Sequence, residues 1–309
     1  MKSALSGAVS QLNGWRIAAA TLAVLLAFAT HAPSTIPYSP NLTQEVANLA
    51  SQLHELQQEQ SMPALVLNRH RDSICFIYGI YSFTGSDGTI YRRMGISGTG
   101  FVVAKGLVAT NRHIAKPWFE DDESEMLIRG GAQPHLDKML AFFPGQHDGI
   151  PLEDVRVSAN ADLAVARVSN AKLASELKPL PLSEAVAIPG DSVVVVGYPM
   201  GTAAMAAKSP QPVYRRLASR KEGLGIAREL AARSLIRPSA TNGHMGDVLG
   251  DKLIYDAVTA PGGSGGPVFD NRGEVIGVNS AYLDGFAGIT LGISVKALRP
   301  LIEAAEHKH

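Results

Sequence analysis

Three short stretches of this 309-residue chain hold residues that can carry out acyl transfer. The first is Pro261-Gly262-Gly263-Ser264-Gly265-Gly266-Pro267. A serine among four glycines can sit on a sharp turn, because glycine reaches positive φ without steric cost. Such a loop can offer a hydroxyl and two backbone N–H groups aimed at one point, a nucleophile and an oxyanion hole together. A plain glycine-rich hairpin turn is the alternative. The second stretch is Ala109-Thr110-Asn111-Arg112-His113-Ile114-Ala115, directly after the apolar Gly100–Val108 hairpin. It puts His113 at a strand end, where a base can face a cleft. The third is Ala161-Asp162-Leu163-Ala164-Val165-Ala166, in which Asp162 opens an apolar strand. Taken singly, His113 reads as a polar loop residue and Asp162 as a turn or strand-start residue. Together the three supply nucleophile, base and orienting acid, in the order His113, Asp162, Ser264, spaced by 49 and 102 residues.

That order decides between two architectures. Gly262-Gly263-Ser264-Gly265-Gly266 also fits a G-x-S-x-G elbow on a strand-to-helix turn, whose acid and histidine follow the serine. Here 45 residues follow Ser264, and their histidines are His307 and His309 in the tail. The order His, Asp, Ser belongs instead to the chymotrypsin arrangement.

Short β-branched runs separated by glycine must position these groups. They are Ile74–Phe83, Gly100–Val103, Leu107–Thr110, Leu163–Val168, Ser192–Gly197, Leu253–Ala257, Gly266–Phe269, Val275–Ser280 and Ile289–Ile293. Many short strands with turn signals indicate an antiparallel barrel or sandwich. Val295–His307 reads as a closing helix. Asn41–Gln60 reads as a helix with Val46, Leu49, Leu53 and Leu56 on one stripe, which can dock on the domain or self-associate. Glu120–Glu125, with five acidic residues in six, reads as a solvated loop. Lys208–Arg237 carries eight basic residues against Glu222 and Glu229 and reads as helical from Tyr214 to Leu235. Its sharper reading is contact with anionic lipid or an acidic partner.

Composition narrows the class further. Basic and acidic residues balance at 28 each, which argues against a nucleic-acid binder that works by bulk charge. One cysteine, Cys75, excludes an intramolecular disulfide framework and a Cys-rich zinc site; within the first strand it reads as a buried, inert thiol. Ile17–Thr30 is a 14-residue run without charge, behind Lys2 and Arg16. A spanning helix needs about 20 apolar residues and a signal-peptide core about 7–15. Ala27-Phe28-Ala29 and Thr30-His31-Ala32 offer cleavage sites, while the long n-region ending in Trp15 and Arg16 resembles an uncleaved anchor. Either reading exports the rest. Pro33–Pro40 is an extended spacer.

Residues 98–116 and 253–296 carry a resemblance to trypsin-like serine proteases of the bacterial HtrA (Deg) type. The matching stretches are Gly98-Thr99-Gly100-Phe101-Val102-Val103, Thr110-Asn111-Arg112-His113, Asp162-Leu163-Ala164-Val165, Val196-Gly197-Tyr198-Pro199-Met200-Gly201, Tyr255-Asp256-Ala257, Gly262–Pro267 and Gly273–Asn279. The resemblance covers most of residues 72–305. It implies an all-β fold of two six-stranded antiparallel β-barrels with the triad in the cleft between them. Added to these are an N-terminal hydrophobic helix, a linker helix and a C-terminal helix. The expected division is 1–33 as signal peptide or single membrane anchor, 34–66 as linker and amphipathic helix, and 67–309 as protease domain, with an insertion at about 203–237. Ser264 would attack the scissile carbonyl, His113 would shuttle its proton, and Asp162 would hold the imidazole. The oxyanion hole would form at Gly262, Gly263 and Ser264, with the N–H groups of Gly262 and Ser264 as donors. The substrate pocket would involve Val258, Thr259, Val278, Asn279 and Ser280. Neither metal nor cofactor is implied.

Four departures sharpen these expectations. Gly263 stands where blood and digestive relatives have an aspartate that pairs with a new N-terminus, so activation by that route is excluded, and its freedom would let the oxyanion loop switch. With 45 residues after Ser264, the PDZ modules of full HtrA proteins are expected to be absent. The basic insertion would lie over the cleft and gate it. Val258, six residues before Ser264, would form an apolar pocket base and favour small or medium aliphatic side chains before the cut. The chain thus reads as a serine endopeptidase of the cell envelope, anchored in the inner membrane facing the periplasm or secreted into it. Its partners would be protein or peptide substrates, the membrane through its N-terminal segment, and no nucleic acid; a homotrimer is the family habit. The alternative is a catalytically silent peptide-binding scaffold on the same fold.

Overall fold

The computed structural model describes residues 40–119, 121–220, 222–282 and 288–307. The hydrophobic segment and the spacer before residue 40 lie outside the described residues, as does His309. Among the described residues, no helix is long and apolar enough to cross a membrane. The chain divides into two compact units, one ending at Leu56 and one beginning at Gln57.

Helix α1 spans Pro40–His70, ten residues past the expected end at Gln60. The reason lies in its last turns. Val66 is buried, and Met62 and Leu67 pack against the core, so tertiary packing carries the helix further than its polar middle suggests. In the first unit, Val46 and Leu49 are exposed.

Twelve strands follow: β1 Ile74–Thr84, β2 Ile90–Ala104, β3 Leu107–Thr110, β4 Gln133–Phe142, β5 Ile150–Val157, β6 Ala164–Val168, β7 Ser192–Gly197, β8 Ser239–Leu249, β9 Lys252–Tyr255, β10 Pro267–Phe269, β11 Val275–Tyr282 and β12 Thr290–Ser294. They close into two antiparallel barrels, ordered β1-β2-β3-β6-β5-β4 and β10-β11-β12-β9-β8-β7. Closure leaves no sheet edge open. β3 and β7 match their expected limits. β4, β5 and β8 were not foreseen. β4 and β5 each contain proline and charged residues, and β8 is rich in Gly, Asn and His. Low local β-propensity is overridden there by pairing with apolar neighbours such as Val193–Val196.

Barrel 1 is filled by Cys75, Ile77, Val102, Val108 and Phe143, among others. Barrel 2 is filled by Val193, Val195, Leu253, Tyr255 and Val268. A third apolar cluster joins the barrels through Phe76, Phe101, Phe142, Val196, Tyr198, Phe269 and Val278. Cys75 is fully buried, its Sγ facing the Gly100 carbonyl at 3.5 Å, and burial pushes the thiol far up. It is inert, as its place in the strand implied. The closing helix α8, Val295–Glu306, buries Val295, Leu298 and Ile302 in the inter-barrel cluster. Arg156 and Arg167 of barrel 1 donate to its Ala304 and Ala305 carbonyls, where cations complement the negative end of the helix.

Two segments differ from expectation. The acidic run is not a solvated loop: Asp121 caps helix α3, Asp122–Arg129, by accepting a bond from the Ser124 N–H at 2.8 Å. Carboxylates in a first helical turn are stabilising there. The basic segment is not one helix from Tyr214 to Leu235. After helix α4, Ala171–Glu176, and helix α5, Gly201–Ala207, the segment forms α6 Gln211–Ala218 and α7 Gly223–Ala232. Arg216 and Arg220 from the α6 side meet Glu229 of α7 at 3.2 and 3.8 Å, and Arg233 joins them at 2.8 Å. A continuous helix would place residues 216 and 229 about 20 Å apart along its axis, so the ion pairs require a hairpin. Met205, Val213, Leu217, Leu224, Ala227 and Leu230 belong to the inter-barrel core. The segment therefore packs its apolar side into that core.

Candidate active site

His113 sits on α2, Arg112–Ala115, one helical turn directly after β3. Its Nδ1 lies 2.8 Å from Asp162 Oδ2, and its backbone N–H donates to Oδ1 at 2.9 Å. Asp162 occupies the β5–β6 loop, two residues before β6 begins. Neighbours of His113 also hold that loop: Asn111 Nδ2 donates to the Asp162 carbonyl at 2.8 Å, and Arg112 Nη1 donates to the Ser158 carbonyl at 3.2 Å. The Arg112 guanidinium also lies 3.7 Å over the Phe119 ring. The Ser280 hydroxyl donates a further bond to Asp162 Oδ2 at 2.7 Å. Burial works against ionisation of Asp162, but the bonds from His113 and Ser280 outweigh it and hold the carboxyl below its usual range.

Ser264 lies in the β9–β10 loop, and its hydroxyl donates to the Ser280 carbonyl at 2.7 Å. Among the described residues it makes no bond to His113. The tertiary fold thus brings His113, Asp162, Ser264 and Ser280 together across both barrels.

The backbone around Ser264 is tied down one carbonyl at a time. Met200 N–H donates to Pro261 O at 2.7 Å, Thr99 Oγ1 to Gly262 O at 2.7 Å, Asn279 Nδ2 to Gly263 O at 2.9 Å, and Thr99 N–H to Ser264 O at 2.8 Å. In a planar trans peptide the N–H points opposite the carbonyl. Fixing Pro261 O and Gly263 O therefore turns the N–H groups of Gly262 and Ser264 the other way. Neither takes an acceptor among the described residues. Gly262 has φ +94°, and a Cβ there would come 2.7 Å from the Tyr198 carbonyl, so the position requires glycine. Met200, at φ +62°, is in the left-handed region without being glycine, a cost accepted where the backbone must aim a donor.

Several expectations change here. The Gly263 N–H donates to Ala260 O at 2.9 Å, so it is engaged and is not a free oxyanion donor. Nor does Gly263 have positive φ; a Cβ there would overlap Thr259 Oγ1, so space rather than backbone freedom demands glycine. Val278 is wholly enclosed in the inter-barrel core and walls no substrate pocket. Val258 is 67% exposed, with its carbonyl accepting from Thr241 Oγ1, and floors no enclosed pocket. Thr259 is half-buried, beside Asn279 Nδ2 at 3.3 Å.

Sequence reasoning missed Ser280 as the partner of Asp162 and Thr99 as the tie between barrels. Thr99 is fully buried in β2; besides its two bonds to the Ser264 loop, its Oγ1 accepts from the Tyr198 N–H and its carbonyl accepts from Thr110 Oγ1. The Gly98-Thr99-Gly100 stretch was a signal for it, since glycines flanking a polar residue in an apolar strand mark close backbone approach.

This geometry can do nucleophilic acyl transfer: a hydroxyl, an imidazole oriented by a carboxylate, and two backbone N–H groups that take no acceptor among the described residues. The comparisons with known proteins agree. The model of the trypsin-like peptidase domain family matches residues 98–278, more than half of the chain. A glutamyl endopeptidase of Staphylococcus epidermidis is 25% identical over 260 residues, covering 78% of this chain and 75% of that protein. A probable periplasmic DegP-like serine endoprotease of Chlamydia trachomatis is 26% identical over 209 residues, covering 67% of this chain and 33% of that one. The crystal structure of the active form of the M. tuberculosis protease Rv3671c is similar in fold, with a TM-score of 0.50 and 17% identity over 77% of this chain and 82% of that one. The chain belongs to the trypsin-like peptidase domain family, and it is a serine endopeptidase with an HtrA-type protease domain.

Proposed function

We propose that Ser264, His113 and Asp162 form the catalytic triad of this endopeptidase. The observation that carries the proposal is the 2.8 Å contact between His113 Nδ1 and Asp162 Oδ2, in an arrangement that also holds Ser264 and Ser280. In this reading Ser264 Oγ turns from the Ser280 carbonyl toward His113 Nε2 and attacks the scissile carbonyl. His113 accepts the proton and later delivers it to the leaving amine, while Asp162 stabilises the imidazolium. The N–H groups of Gly262 and Ser264 receive the oxyanion, each worth about 10²–10³ in rate. The test is labelling by a fluorophosphonate probe. Wild type should label and Ser264→Ala should not; equal labelling of both, or none in wild type, would favour a silent scaffold.

The enzyme is further proposed to work in the cell envelope, delivered by the charge-free Ile17–Thr30 run as a cleaved signal or an anchor. The Chlamydia relative is described as a probable periplasmic endoprotease, which supports that setting; a role in protein quality control or regulated proteolysis is part of the same proposal. Self-association through the exposed Val46 and Leu49 stripe is part of the same proposal, with a trimer as the family's habit.

A further inference from the structure

Asn279 was expected at the substrate pocket, but its surroundings give it another task. It lies in β11 and is completely buried. Its Nδ2 donates to the Gly263 carbonyl at 2.9 Å, and its Oδ1 accepts from the Tyr255 hydroxyl at 2.8 Å. Its backbone is engaged with the same loop: its N–H donates to Gly266 O at 2.8 Å, and its carbonyl accepts from the Gly265 N–H at 2.7 Å. Tyr255, in β9, is also buried, with its ring edge against Gly292 of β12. Burial pushes its phenol far up, so the hydroxyl stays a donor wherever a protease works.

The bond directions matter. The Gly263 carbonyl and the Ser264 N–H belong to one peptide plane and point opposite ways. Whatever holds that carbonyl aims the Ser264 N–H. The Gly266 N–H also donates to that carbonyl at 3.1 Å, but from within the same loop; Asn279 Nδ2 is the donor that ties it to a strand outside the loop. The Asn279 side chain would itself be loose without a partner at Oδ1, and the Tyr255 hydroxyl supplies that partner. An unpaired buried amide oxygen would also carry its desolvation penalty.

We propose that Tyr255 and Asn279 form a buried positioning relay that fixes the Gly263–Ser264 peptide, so that the Ser264 N–H is aimed at the oxyanion before substrate arrives. The relay rests on the triad reading above. Neither residue touches the substrate. Their effect is transmitted to one oxyanion donor and is therefore larger on the transition state than on bound substrate.

The test uses the full-length enzyme, with active sites counted by titration so that rates are per functional site. Tyr255→Phe keeps the ring and removes one hydroxyl; it should lower kcat about 10-fold with KM nearly unchanged. Asn279→Ala removes the contact to Gly263 and should lower kcat by about 10², near the loss of one oxyanion donor. A peptide aldehyde, which binds as a hemiacetal oxyanion, should weaken in Ki by the same factor as kcat/KM falls. A residue of merely structural value would lower Tm and the number of titratable sites but leave per-site kcat and aldehyde Ki as in wild type. That result would overturn the relay while the triad reading stood. Should Asn279→Ala fail to fold, Tyr255→Phe decides alone, since it opens no large cavity. If wild type takes up no fluorophosphonate and cleaves no peptide, the triad reading fails and the relay's catalytic role falls with it.

Discussion

Replacing Ser264 by alanine is expected to lower kcat/KM by about 10⁶, replacing His113 by alanine to lower it as much, and the double variant to lose no more than either single change. In the proposed triad, nucleophile and base act as one unit. Without the hydroxyl there is no proton for His113 to take. Without the imidazole, Ser264 attacks only as a neutral alcohol. What survives is the oxyanion hole and binding, worth about 10³–10⁴ over water. The paired N–H groups of Gly262 and Ser264 belong to the backbone, so they remain in all three variants. Hydrolysis of one peptide at a fixed, titrated enzyme concentration, with contaminating protease excluded by an inhibitor control, measures the effect. A double variant far below both singles would show that Ser264 and His113 contribute independently and would break the unit.

Asp162→Asn is expected to reduce kcat by about 10⁴ with little change in KM. Asp162 receives His113 Nδ1 at 2.8 Å, the His113 backbone N–H at 2.9 Å and the Ser280 hydroxyl at 2.7 Å. An asparagine amide turned toward Nδ1 would donate where the carboxylate accepts. His113 would then carry its proton on Nε2, the nitrogen that must accept from Ser264. The same change should alter acid stability in a definite direction. The folded-state pKa of Asp162 is depressed, so its ionised form stabilises the fold at any pH above the unfolded value of about 3.9. That stabilisation disappears as pH falls through the lower folded value. Urea midpoints between pH 2 and 6 should therefore show the wild-type advantage over Asp162→Asn at pH 6 shrinking below about pH 4. A constant difference across that range would mean that the pKa of Asp162 is the same in the folded and unfolded states.

The structure also explains why some features were open to sequence reading and others were not. The glycine loop around Ser264 announces itself because its turns need residues without a Cβ, and those are adjacent in the chain. β3 and β7 are apolar runs whose pattern is local, and both matched to the residue. β4, β5 and β8 escaped because their sequences are poor in β-formers and become strands only when a neighbour offers its backbone. The basic segment reads as one helix from Tyr214 to Leu235, yet it folds back between α6 and α7, where both helices bury apolar side chains in the inter-barrel core and Arg216 and Arg220 reach Glu229.

By itself, the sequence determined the kind of chemistry, the order of the three candidate residues and an all-β fold. Each depends on residue type, chain order or a short-range pattern. Only the tertiary structure decided that Ser280 serves Asp162 from 118 residues away. It also decided that Thr99 of one barrel anchors the nucleophile loop of the other across 163 residues, and that Asn279 faces Gly263 and Tyr255 rather than a substrate. A hydrogen bond between buried groups that far apart in the chain leaves no periodicity and no propensity behind. It exists because two closed barrels pack their cores against each other and bring these buried donors within reach of these acceptors.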